Sequence, residues 1–70
     1  MQQQRPASDP LTHTAEIKAM LSDAKRRARE GVSQVDDPKA KALFETTAEV
    51  LQGLITAFEH YENKSEEAWR

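Results

Sequence analysis

The chain contains no cysteine, which excludes disulfide staples and thiolate metal sites. It also lacks any apolar run approaching the ~18 to 20 residues of a membrane-spanning helix, and residues 1–8 hold no apolar core of the kind a secretory leader needs. Membrane insertion is therefore not expected, and a soluble cytoplasmic protein is. An excess of one charge is missing too. Ten basic and 12 acidic residues leave a net charge of −2, so there is no polycationic field of the kind that dominates nucleic-acid binding. Alternating β patterns, internal repeats and recognisable catalytic, metal or nucleotide motifs are all absent. No enzyme and no cofactor is expected from such a sequence.

Seventy residues allow one domain, and chains this short rarely stand on a single hydrophobic core without disulfides, metal or oligomerisation. With the first of these excluded, self-association becomes the natural expectation.

What the chain does contain is a broad apolar stripe on its second half: Leu43, Phe44, Thr47, Val50, Leu51, Leu54, Ile55, Phe58, Tyr61 and Trp69. At about 100° per residue these positions fan across roughly 140° of one helix face, more than a single neighbouring helix covers. They form the predicted interface. Leu43, Val50 and Tyr61 lie at one edge, Phe44 and Ile55 at the other, and the Phe44/Ile55 edge is assigned to a second hairpin. Thr47 interrupts the stripe, and its hydroxyl is expected to bond the Leu43 carbonyl one turn back or to form a polar layer that fixes register.

Residues 1–8 are polar, rich in Gln and without periodicity, and read as a flexible tail. Residues 9–70 read as a helical hairpin. Asp9 followed by Pro10 fits an N-cap with proline in the first helical position, and helix 1 then runs over about 10–34. Its inward positions are predicted to be Ile17, Met20, Leu21, Ala24, Ala28, Gly31, Val32 and Val35, with Gly31 inside an unbroken or kinked helix. Asp36-Asp37-Pro38 punctuates the chain, giving a turn at 35–37 and helix 2 over about 38–64 with a fraying end. So short a turn forces antiparallel neighbours, with residues whose numbers add to about 73 at the same level. Trp69 is expected to pack on the bundle end or on a neighbouring subunit.

The candidates for chemistry each have a plainer reading. His13 and His60 fall at one level, but on helical wheels they diverge, so a metal site within one hairpin is not favoured; His13 is expected against Tyr61, with His60 solvated. A ferritin-like site is not supported, because the Glu-x-x-His order it uses is missing. Lys18, Lys25, Arg26 and Arg29 read as a basic ridge on the back of helix 1, a possible charged docking surface. Asp23 and Glu30 are spaced to neutralise Arg27 and Arg26, and no aromatic is interleaved, so nucleic acid is not the expected partner. Glu45, Glu49, Gln52, Thr56, Glu59 and Asn63 form the corresponding ridge on helix 2. Ser22 and Ser33 have no base beside them and read as surface residues.

The fold class expected is all-α, an antiparallel two-helix hairpin pairing into a homodimeric four-helix bundle. The function expected is a non-enzymatic self-associating interaction or scaffold module. The alternatives are an accessory protein that binds a helix of another protein and, third, a metal-binding helical bundle.

Overall fold

A computed structural model describes residues 7–64; Trp69 and residues 1–6 of the tail expected at residues 1–8 lie outside the described residues. Two helices, α1 (Pro10–Gln34) and α2 (Pro38–Asn63), pack antiparallel along their length, and the described residues contain no strand.

Both helices begin in the same way. Asp9 has extended backbone angles and its carboxylate accepts from the Leu11 amide at 3.0 Å, while Asp37 does the same for Lys39 at 3.1 Å. Each Asp satisfies an amide that the first helical turn leaves without a partner, and the proline that follows has no amide to satisfy. Helix α1 ends where Val35 turns extended, its N–H still bonded to the Gly31 carbonyl at 3.2 Å. Helix α2 ends at Lys64, whose left-handed conformation (φ 53°) directs its N–H back to the His60 and Tyr61 carbonyls.

The seam between the helices repeats every three and four residues. Half-buried Leu11, Thr14, Lys18, Leu21, Lys25, Ala28 and Val32 of α1, continued by its C-cap Val35, line one side of the seam; Phe44, Ala48, Leu51, Ile55, Phe58 and Glu62 of α2 line the other. This is the a/d spacing of an antiparallel coiled coil. Its interior is thin. Among the described residues only Ala48 (3% exposed) and Ile55 (7%) are buried apolar side chains, and none is fully enclosed.

Gly31 remains inside an unbroken α1 and is buried, because the Phe44 ring lies directly over it. The pairs Thr14–Glu62, Lys25–Gln52 and Gly31–Phe44 set the register at a sum of about 76 instead of about 73. The heptad contacts, more than the midpoint of the turn, decide the level at which the helices meet.

The rotation of α1 corrects the expected inward face. Leu21, Ala28, Gly31, Val32 and Val35 point inward, but Ile17, Met20 and Ala24 are exposed. Their expected places on the seam are taken by Lys18 and Lys25. Long basic side chains lay aliphatic stems along an apolar seam while their charged ends reach acceptors, and both lysines find one on α2.

Candidate interaction face

The apolar edges of α2 are reversed relative to the expectation. Ile55 is buried against α1, and Phe44, half-buried, covers Gly31, so this edge holds the hairpin together. Leu51 and Phe58 also sit half-buried at the seam. The opposite edge, Leu43, Thr47, Val50, Leu54 and Tyr61, is the one left over. Taken with Ile17, Met20 and Ala24 of α1, it makes one continuous face, again at spacings of three and four on each helix.

The exposed large apolar side chains of the described residues are Ile17, Met20, Leu43, Val50 and Leu54, at 41% to 65% exposure, and all five fall on this face. Met20 and Leu54 occupy its middle. Its two ends are open clefts. One, of about 530 Å³, lies toward the turn and is lined by Ala24, Arg27, Gly31, Leu43, Phe44 and Thr47 among others. The second, of about 340 Å³, lies toward the chain ends between Pro10, His13, Thr14, Ala57, Phe58 and Tyr61. His13 and Tyr61 thus line one cleft as expected; His13 Nε2 donates to the Ala7 carbonyl at 2.6 Å. His60 is half-buried, not fully solvated.

The opposite face is polar. Glu45 and Glu49 border a shallow groove with Arg29, Val32 and Ala48. Gln52 accepts from the Lys25 ammonium and donates to the Thr56 hydroxyl at 3.2 Å. Nearer the chain ends, Glu62 accepts from Lys18 at 2.7 Å and from the Thr14 hydroxyl at 2.8 Å, closing the seam with a charged clasp. The Lys18 hydrogen bond, seconded by Thr14, holds the Glu62 carboxyl below its ordinary range, and the same bond raises Lys18.

The basic ridge expected on the back of α1 does not form as one surface. Lys18 and Lys25 turn into the seam, which leaves Arg26 and Arg29 exposed. Arg26 takes both nearby carboxylates, Asp23 at 3.2 Å and Glu30 at 3.4 Å. Asp23 was expected to pair with Arg27, and the structure gives it to Arg26 instead. Arg27 consequently lies over Gly31 at the rim of the larger cleft.

The Thr47 hydroxyl donates to the Leu43 carbonyl at 2.7 Å, as its spacing predicts, and Ser33 donates to the Glu30 carbonyl at 2.9 Å on the surface. Among the described residues no three His, Cys, Asp or Glu side chains gather as a metal site would require, and no helix is long and apolar enough to cross a membrane. Comparison with family models, with curated proteins and with solved structures finds no match to the chain.

Proposed function

We propose that this hairpin is a non-enzymatic self-association module in which two copies bring their apolar faces together as a homodimeric four-helix bundle. The observation that carries the reading is the collection of all five exposed large apolar side chains on one face, at the spacing that helix packing uses. The thin seam supports it, since two buried apolar side chains among the described residues are a small core for a chain that has no disulfide to help it.

The magnitudes agree with a reversible assembly. Covering these half-exposed side chains contributes about 1 kcal/mol each, on the order of 10 kcal/mol for a pair of copies, against an association cost of roughly 4–15 kcal/mol. The two are comparable, so occupancy depends on concentration.

Sedimentation over a dilution series, with helicity followed in parallel, is the test. A dimer that dissociates on dilution, and that Leu54→Glu abolishes at every concentration, is the expected result. A stably folded monomer at the highest concentration would overturn the reading and turn attention to a helix from another protein as occupant of the face.

A further inference from the structure

Resting on the self-association reading, we infer that the two copies stack head to tail about a two-fold axis perpendicular to the helices, so that α1 meets α1 and α2 meets α2, each antiparallel. The carboxylate of Glu16 then faces Arg27 of the second copy, and symmetry repeats the pair.

The charges on the border of the face select this arrangement. Arg27 is exposed at the cleft rim, and Arg26 has already taken Asp23 and Glu30, the two carboxylates within reach along the helix. Glu16 is exposed on the same border, 11 residues earlier in the sequence. Eleven residues are three turns plus about 20°, so the two charges sit on one line about 16 Å apart. Reversing a second α1 against the first brings opposite signs together at both ends of that line. Stacking the copies the same way round would instead set α1 against α2 of the second copy. There the outer border offers Lys39, Thr46, Gly53 and Ala57, with no carboxylate for Arg27.

An axis midway between Glu16 and Arg27 passes between Leu21 and Ser22, and the register of about 76 puts it between Leu54 and Ile55 on α2, of which Leu54 is on the apolar face. Leu54 of one copy therefore meets Leu54 of the other.

The chain has no cysteine of its own, so single-cysteine variants report this directly. On mild oxidation, Leu54→Cys chains are expected to couple to one another as a covalent dimer. If the protein sediments as a dimer but Leu54→Cys couples only when mixed with Met20→Cys chains, the head-to-tail arrangement is wrong while self-association stands. If the protein is a monomer, both fall. As an independent check, Arg27→Glu is expected to weaken the dimer about tenfold, and Glu16→Arg with Arg27→Glu to restore it. Failure of the double reversal to restore the dimer would overturn the pairing.

Discussion

The Phe44 ring covers Gly31 so closely that its Cδ2 lies 2.8 Å from the point where a β-carbon on residue 31 would stand. Glycine is a poor helix former, and in the middle of α1 it costs about 1 kcal/mol relative to alanine. The close approach of the ring is what that cost secures.

Gly31→Ala is therefore expected to destabilise the hairpin, by about 1–2 kcal/mol net of the helix-propensity gain, because the half-buried ring must shift. Gly53→Ala is the control. Nothing lies within 4 Å of a β-carbon there, so the same substitution is expected to stabilise by about 1 kcal/mol. Urea denaturation of both variants at one protein concentration measures the difference, and equal signs would contradict the role given to Phe44.

Ile55 and Leu54 are neighbours in sequence in opposite surroundings, the first buried and the second 45% exposed. Ile55→Ala removes the larger of the two buried apolar side chains and is expected to cost about 3 kcal/mol, enough to remove most helicity whatever the concentration. Leu54→Ala touches only the exposed face. Its helicity is expected to return as concentration rises, and circular dichroism over a dilution series separates the two.

Acid and alkali should both open the clasp at the end of the seam. Glu62 is held below its ordinary value of 4.5, so its contribution is complete above that value and disappears as pH falls through the lowered one. Lys18 is raised above 10.5, so its contribution is complete below that value and disappears as pH rises through the raised one. Thermal melts of the parent and of Glu62→Gln are expected to differ at neutral pH and to converge in acid. A constant difference down to pH 2 would show that the carboxylate charge plays no part.

Much of the fold is legible in the sequence because its signals are local. The two Asp-Pro pairs announce both helix starts by cap chemistry that needs no tertiary context, and Thr47 reaches back one turn as its spacing says. The rotation of α1 is not local. Ile17 and Met20 draw an apolar wheel toward themselves, whereas Lys18 and Lys25 occupy the seam by virtue of Glu62 and Gln52, each more than 25 residues away in sequence. Counting lysines as permitted seam residues would have revealed the unbroken heptad from Leu11 to Val35. The choice between the two apolar edges of α2 depends in turn on that rotation, since Leu43, Val50 and Leu54 are as apolar as Phe44 and Ile55. Arg27 stands apart for a similar reason: spacing alone allows Asp23 to serve Arg26 or Arg27, and the structure gives it to Arg26.

The contrast between the two faces of the hairpin would limit the size of the proposed assembly. In the proposed pair, a copy that covered the apolar face would use it up, and what then pointed outward would carry Glu45, Glu49, Arg29 and the hydrogen-bonded amide of Gln52. Among the described residues nothing on that exterior repeats the apolar face, so under the proposed pairing a third chain would find no vacancy and growth into a fibre would have no next step. Turning one polar residue of the back face apolar would lift this stop, and the finite pair would become a unit able to polymerise.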